Sequence, residues 1–223
     1  GMLLPALASA KDRGQRTVCV NNSRQLGIAT HMYSADNNDR MAHPNWNPPF
    51  VQGWLYDASR GSVPNLFSPQ YYTNETAAYQ GGQLWKYMGA IKSYRCPIDK
   101  TNTATFRART QKLSTYVQNG AICGYGTVPA NKTWNISAFQ PDAFMMWEPD
   151  DQHRTPGYGY NDGSSYPDPD QDGGLGRRHG KKGGVVLAID SHVEIVTFEA
   201  WRRESKLPGR NRMYCNPGTA TGR

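Results

Sequence analysis

The first forty residues constrain the fold most strongly, because their apolar positions recur with the period of an α-helix. Five residues follow one another at steps of 3, 4, 3 and 4 and therefore share one helical stripe: Cys19, Asn22, Leu26, Ala29 and Tyr33. The opposite face has the charged residues Arg13, Arg16, Arg24 and Asp36. A helix from Leu3 to Asn38 would be ~54 Å long at 1.5 Å per residue. The pattern predicts a long helix with one face packed on a core.

The predicted helix begins with an apolar run at residues 2–7, in which Pro5 suits a first helical turn. Two interpretations fit this run. It is the end of a longer hydrophobic segment, with Gly1 left by tag cleavage, or it is the buried start of an ordinary helix. The first interpretation predicts that Leu3, Leu4 and Leu7 are exposed in a monomer, while Leu26, Ala29 and Tyr33 pack on a sheet. The sequence contains no run of 18 apolar residues.

The rest of the chain predicts an antiparallel sheet with long loops. Strand-like segments occur at 114–118 and 143–147, and a hairpin at 184–189 and 192–198 turns at Asp190-Ser191. Residues 83–88 predict a short second helix, and residues 41–75 and 149–176 predict long loops. The expected fold class is α+β, a long N-terminal helix packed on an antiparallel β-sheet. The expected division is a helix at 1–40 and a loop-rich head at 41–223.

The hairpin pattern also makes a prediction about burial. Val185, Leu187 and Ile189 alternate with Val186 and Ala188, so one face of that strand is expected to be more buried than the other. Three residues of the following segment are expected to cover the same core: Val193, Ile195 and Phe198.

Three motifs together resemble a known family. They are LLPALASAK followed by CVNNSRQLGIATHMYSADNNDR, then LWKYM followed by YRCPID, then RHG followed by VVLAIDSHVE. This order resembles the bacterial type II secretion pseudopilins, in the branch with a DUF1559-like domain that ends in an H-x9-DG motif. The resemblance implies a prepilin-type leader and an apolar transmembrane helix before the LLPAL segment. It also implies a long helix laid against an antiparallel sheet.

The last motif departs from the family pattern. Ten residues separate His179 from Asp190, and Ser191 stands where the family has glycine. The extra residue predicts a longer turn or a bulge. Serine also makes a positive φ at this position less favourable than glycine would.

We therefore expect a structural subunit of a pseudopilin-like, type II secretion-related envelope assembly, without enzymatic activity. The resemblance implies other pseudopilin subunits and the secretion machinery as partners. It also implies an inner-membrane anchor through the preceding helix, with the head outside the cytoplasm in the periplasm or at the cell surface. The alternative from a different class is a glycan- or surface-binding module displayed on the envelope.

The uneven distribution of charge along the chain indicates which classes of binding partner the protein could attract. The net charge is +7, and residues 177–223 hold ten Lys/Arg against four Asp/Glu. Such a basic segment attracts anionic polysaccharide, lipid headgroups or nucleic acid, or is simply a solvated tail. Nucleic-acid binding is not expected, because the aromatic loops precede residue 176 and are separate in sequence from this charge.

The aromatic loops admit two interpretations. Their rings stack on sugars at a glycan-binding tip, or they fill a core that is short of aliphatic residues. The residues concerned are Trp46, Trp54, Tyr56, Tyr71, Tyr72, Tyr158 and Tyr160.

The four cysteines, Cys19, Cys96, Cys123 and Cys215, have no C-x-x-C spacing, which argues against a zinc knuckle. An even number permits disulfides in an exported chain. Buried free thiols are the other interpretation. Cys19 and Cys96 are both expected near the core, in structural roles.

Residues 168–173 read DPDQDG and match the opening of a calcium loop. Asp168, Asp170 and Asp172 are the candidate calcium ligands. The twelfth position is His179, where an EF-hand has a bidentate glutamate, so a true EF-hand is not expected. The alternatives are a looser calcium loop and an acidic solvated loop. Bound calcium predicts a melting temperature that falls with EDTA.

A second set of residue types is suited to zinc binding or acid–base chemistry: Glu148, Asp150, Asp151, His153, His179, Asp190 and His192. Their spacing matches no catalytic or metal motif. His179 and Asp190 are instead expected to form a structural hydrogen bond that fixes the hairpin. Zinc bound at His179 would count against both this pair and the non-enzymatic interpretation.

Overall fold

The computed structural model describes residues 3–129, 132–150, 155–171, 173–180 and 182–223. A long helix, α1 (Leu3–Asp36), leads into a head built on a sheet, which confirms the α+β class. The strands are β1 (Val117–Asn119), β2 (Phe144–Trp147), β3 (Ser164–Ser165), β4 (Gly183–Ala188) and β5 (Val193–Thr197). The remaining α-helices are α2 (Pro69–Tyr72), α3 (Thr76–Tyr79), α4 (Trp85–Met88), α5 (Ala104–Ala108) and α6 (Phe198–Ser205).

The strands form one sheet in the order β3-β1-β2-β4-β5. β1 and β3 are parallel, and the other neighbours are antiparallel. The predicted hairpin is confirmed, since Leu187 lies opposite Val193 and Gly183 lies opposite Thr197. The strand predicted at 143–147 is confirmed as β2, the middle strand, whereas the strand predicted at 114–118 only overlaps β1.

The sheet is covered on both faces, and this makes the predicted one-sided burial of β4 wrong. All six residues of β4 are buried. Leu187 belongs to an apolar cluster that includes Leu26 of α1. Its neighbour Val186 points to the other face and belongs to a second cluster, with Trp201 of α6. Ile195, which was expected to cover the core, is 49% exposed on the edge strand β5.

α1 docks on the head through the stripe that the sequence predicts. Cys19, Leu26 and Ala29 are buried, and Asn22 Nδ2 donates to the carbonyl oxygens of Lys92 (3.3 Å) and Arg95 (2.9 Å). A helix with this buried face is stabilised mainly by packing rather than by its own propensity.

The first turns of α1 lie outside this contact. Leu4 is 77% exposed and Leu7 is 68% exposed, which confirms their expected exposure and contradicts a buried helix start. The side chain of Leu3 lies outside the described residues. Among the described helices, none is both long enough and apolar enough to cross a membrane.

The turn between β4 and β5 contacts α1 closely. Ser191 has a φ of 71°, so the expectation that serine avoids a positive φ here is wrong. Local hydrogen bonds offset the backbone strain: Ser191 N donates to Ala188 O at 3.1 Å, and His192 N donates to Asp190 Oδ1 at 3.0 Å. A Cβ at Gly27 would lie 2.9 Å from Ser191 Cβ and 2.7 Å from its Oγ. Glycine at position 27 therefore permits the close approach of α1 to this turn.

This contact predicts that Gly27→Ala destabilises the protein, although alanine favours a helix over glycine by about 1 kcal/mol. The new methyl group has to displace Ser191 or α1, which costs about 1–3 kcal/mol. Gly14→Ala is the matched control, because no atom lies within 4 Å of a Cβ at that position of the same helix. Denaturant unfolding should show that Gly14→Ala is stabilising and Gly27→Ala destabilising.

A double variant separates the steric cause from other effects. Adding Ser191→Gly to Gly27→Ala removes the clashing side chain and also relieves the positive φ. The double variant should recover most of the lost unfolding free energy. Equal stability of the two single alanine variants would contradict this account of the contact.

Candidate functional site

Four side chains from distant segments meet beneath α1 and form what we call the cysteine–histidine cluster. Its members are Cys19 of α1, Cys96, Glu148 directly after β2, and His179 before β4. Their possible ligand atoms all lie within 4.8 Å of one another. The four residues are between 0% and 4% exposed. The arrangement brings two thiols, a carboxyl group and an imidazole together inside the protein.

The imidazole of His179 is the centre of the cluster. Its Nε2 lies 3.3 Å from Cys96 Sγ and 3.3 Å from Glu148 Oε1. Its Nδ1 has no hydrogen-bond partner among the described residues. Nε2 has one hydrogen-bonding position, so it either donates to Glu148 or accepts from the Cys96 thiol. Hydrogen bonding by His179 alone therefore does not satisfy both of its neighbours.

The environment shifts the pKa values of these groups. Burial by itself lowers the pKa of His179, but the contacts with Cys96 and Glu148 outweigh it and raise that pKa to about 9. The hydrogen bond with Cys19 and then burial raise the pKa of Cys96 far above its usual range. Burial and the nearby Glu148 charge also raise the pKa of Tyr116. Without a cation, the protein stabilises imidazolium here and disfavours the Cys96 thiolate.

Backbone contacts fix the segments that supply the cluster. Arg16 Nη2 donates to the carbonyl oxygen of His179 at 2.6 Å, so α1 binds the His179 loop directly. The backbone N–H of Cys96 donates to Thr115 Oγ1 at 3.1 Å. Gly176 N donates to Glu148 O at 2.6 Å, which ties the end of β2 to the chain that leads into His179.

A buried ion network lies beside the cluster. Arg109 makes two hydrogen bonds of 2.7 Å to the carboxylate of Asp99, with 0% and 4% of the two side chains exposed. Thr115 Oγ1 also donates to Asp99 at 2.7 Å. Arg178 bridges the two regions, because it lies 3.7 Å from Asp99 and 3.9 Å from Glu148. Such a bidentate pair keeps both charges compensated inside the protein.

All four cysteines are buried free thiols. Two of them, Cys19 and Cys96, join Glu148 and His179, whereas sequence reasoning treated the cysteines and the Glu/His set separately. One signal could have linked them, since Cys19, Cys96 and His179 each lie in one of the three motifs that carry the family resemblance. The spacing of the motifs along the chain, however, does not indicate that they meet in the fold.

The predicted His179–Asp190 hydrogen bond is wrong. Strand β4 (Gly183–Ala188) separates the two residues, so they lie near its opposite ends. Asp190 instead pairs with His192, whose Nδ1 is 2.6 Å from Asp190 Oδ1 on the surface. Among the other residues suited to zinc binding or acid–base chemistry, Asp150 pairs with Arg177 at 3.3 Å. Asp151 and His153 lie outside the described residues.

The candidate calcium ligands remain a prediction. Asp172 lies outside the described residues. Asp168 accepts hydrogen bonds from Tyr214 O–H at 3.0 Å and from Asp170 N at 2.7 Å. Asp170 lies 3.9 Å from Arg202.

The aromatic residues divide between core and surface. Trp54, Tyr56 and Tyr160 are 0% exposed and fill the core. Tyr72 is 77% exposed and Tyr158 is 53% exposed. Tyr72 borders a depression of about 210 Å³ whose lining includes Leu66, Phe67, Tyr71, Glu75, Arg95 and Phe106.

Residues 8–167 match the family described as "Protein of unknown function (DUF1559)", and because this is more than half of the chain, the chain belongs to that family. This family is commonly found in proteins associated with prepilins and pseudopilins. Searches of curated proteins and of solved structures gave no match. The matched region contains Cys19, Cys96 and Glu148 and ends before His179.

The ion network predicts a large effect for Asp99→Asn. The substitution keeps the shape of the side chain but removes the carboxylate charge from the buried Asp99–Arg109 pair, and breaking a buried ion pair costs about 3–5 kcal/mol. Asp36→Asn is the control, because the Asp36–Lys86 pair is 55% and 69% exposed and such surface pairs contribute about 0–1 kcal/mol. Denaturant unfolding at neutral pH measures both, and similar losses for the two variants would contradict the role given to the buried pair.

Proposed function

We propose that this protein is a structural subunit of a pseudopilin-like, type II secretion-related envelope assembly. The supporting observation is an apolar stripe on the exposed side of α1. It consists of Leu7 (68% exposed), Val18 (46%), Ile28 (56%) and Met32 (49%). At about 100° per residue these four residues fall within about 80° of arc on the helix.

The apolar stripe differs from the buried stripe that docks α1 on the head. Cys19 and Leu26 face the head, while Val18 and Met32 remain accessible on the same helix. The helix can therefore bind a second helix without releasing its own head. Contacts of this kind between different surfaces of identical subunits form open filaments when they do not close into a ring. The mechanism is the packing of helices side by side, without covalent chemistry.

The anchor is the second part of the proposal. Every side chain from residue 4 to residue 11 is exposed, so the first turns of α1 extend away from the head. An apolar segment N-terminal to Leu3 would continue this helix into the inner membrane, with the head outside the cytoplasm. Pseudopilin subunits and the secretion machinery are then the partners. Membership of a family commonly found in prepilin-associated proteins supports this assignment.

Site-specific photo-cross-linking in the producing cells tests the assembly. A photoreactive residue at Val18 or Met32 of the full-length protein should capture a neighbouring α1 from this chain or from another prepilin-type subunit. Mass spectrometry identifies the captured peptide. Met32→Asp should abolish the cross-link from Val18, because it places a charge in the packed interface, and should change stability by only about 0.5 kcal/mol.

Leu207 provides the control position, since it is apolar and 41% exposed but lies on the head. A photoreactive residue there should give no helix–helix product, and Leu207→Asp should leave the Val18 cross-link intact. Equal capture from Leu207 and Val18, or none from Val18 and Met32, would refute side-by-side packing of α1.

The depression beside Tyr72 favours a second candidate, a glycan- or surface-binding module. The exposed ring of Tyr72 lies next to Phe67 and Tyr71 and offers a surface on which a sugar can stack. Glu75 and Arg95 also line the depression and offer polar groups. Cell-envelope polysaccharide is the ligand class that this combination suits.

This candidate predicts that Tyr72→Ala weakens binding to purified envelope polysaccharide at least tenfold, because the stacking face is lost. Tyr158→Ala is the matched control, as Tyr158 is also exposed but does not line the depression. Calorimetric titration of the protein with the polysaccharide measures both. If wild type shows no binding, or if both variants lose it equally, the depression is not the binding site.

A further inference from the structure

We propose that the cysteine–histidine cluster binds one zinc ion, which links α1 to the head. The ligands are Cys19 Sγ, Cys96 Sγ, His179 Nε2 and one carboxylate oxygen of Glu148. This assignment is independent of whether the protein assembles or binds glycans, because it concerns how the helix and the head are joined.

The donor set selects the metal. Two thiolates and an imidazole are soft or borderline ligands that suit zinc, whereas calcium and magnesium bind oxygen atoms. A single carboxylate completes a tetrahedral zinc shell, and it leaves too few oxygen ligands for either of the alkaline-earth ions. Zinc is therefore the cation class that this cluster recognises.

The distances fit a tetrahedral centre. Bond lengths of about 2.3 Å to sulfur and about 2.0–2.2 Å to nitrogen or oxygen place neighbouring ligand atoms about 3.3–3.8 Å apart. His179 Nε2 lies 3.3 Å from both Cys96 Sγ and Glu148 Oε1, and all four ligand atoms lie within 4.8 Å of one another. Only small side-chain movements are needed for a single ion to contact all four.

The polar groups of the cluster are not satisfied by one another. Glu148 is 2% exposed, yet among the described residues its carboxylate has no hydrogen bond shorter than 3.3 Å. Cys96 and Glu148 share the one hydrogen-bonding position of His179 Nε2. A buried carboxylate requires a strong partner, and a cation between these groups would satisfy all of them at once. Arg178, 3.9 Å from Glu148, partly balances the remaining negative charge.

The protein fills all four coordination positions, so the zinc would be structural. Catalytic zinc sites keep a position open for water or substrate, whereas the four residues of this cluster are themselves at most 4% exposed. A closed structural zinc site at His179 would therefore be compatible with a protein that is not an enzyme. Its effect is mechanical, because Cys19 lies within α1 while the other three ligands belong to the head.

Metal content provides the first test. The protein is purified without chelators, and zinc is measured by elemental analysis. We expect about one zinc per chain in the wild type, and its loss in Cys96→Ser and in His179→Ala. The matched controls are Cys123→Ser and Cys215→Ser, which remove cysteines that are equally buried but lie outside the cluster. Both controls should keep the zinc.

A second measurement remains informative if Cys96→Ser or His179→Ala fails to fold. Wild type stripped with a chelator and reloaded with cobalt(II) should show the absorption bands of tetrahedral thiolate coordination. Glu148→Gln preserves the shape of the ligand and should weaken zinc binding at least tenfold. Removing zinc should lower the melting temperature, and adding zinc back should restore it. Calcium should not restore it.

Three results would overturn the proposal. The first is a Cys19–Cys96 disulfide, detected by peptide mapping under non-reducing conditions. The second is a folded wild type with free thiols that takes up neither zinc nor cobalt after reloading. The third is zinc that persists in folded Cys96→Ser and His179→Ala variants but disappears in Cys123→Ser or Cys215→Ser.

Discussion

The burial of one stripe of α1 is the interaction on which the rest of the structure depends. α1 cannot bury its apolar positions within itself, so the head supplies a core for Leu26 and Ala29 and backbone acceptors for Asn22. The same stripe brings Cys19 to Cys96, Glu148 and His179. Packing, hydrogen bonding and the proposed metal site therefore share one interface, and a change that separates helix from head affects all three.

The elements with strong local patterns were predictable from the sequence. The steps of three and four residues in α1 and the two apolar runs of the hairpin each have a period set by backbone geometry. The burial of β4 was not predictable in the same way. Alternation along one strand does not show whether helices cover both faces of the sheet, and here Val186 and Leu187 are both buried because α6 and α1 lie on opposite sides.

The candidate site was predictable only in its residue types. Glu148 and His179 stood out as potential ligands, but the two cysteines that join them lie far away in sequence. Only the folded chain shows that the motif containing Cys96 also supplies Asp99 to the adjacent ion network. The prediction that Ser191 avoids a positive φ was wrong for a different reason. The preference of serine for a negative φ does not decide the backbone conformation here, because hydrogen bonds across the turn and the close contact with Gly27 hold Ser191 in place.

The two stripes of α1 have a geometric consequence for any assembly. The stripe that contains Leu26 and the exposed stripe that contains Met32 point in directions roughly a quarter of a turn apart at about 100° per residue. A neighbouring helix on the exposed stripe would then lie beside the head and not opposite it. Each head would then be displaced sideways from the next around the fibre axis. The angle between the two stripes of α1 would thereby set how closely neighbouring heads approach one another on the outer surface.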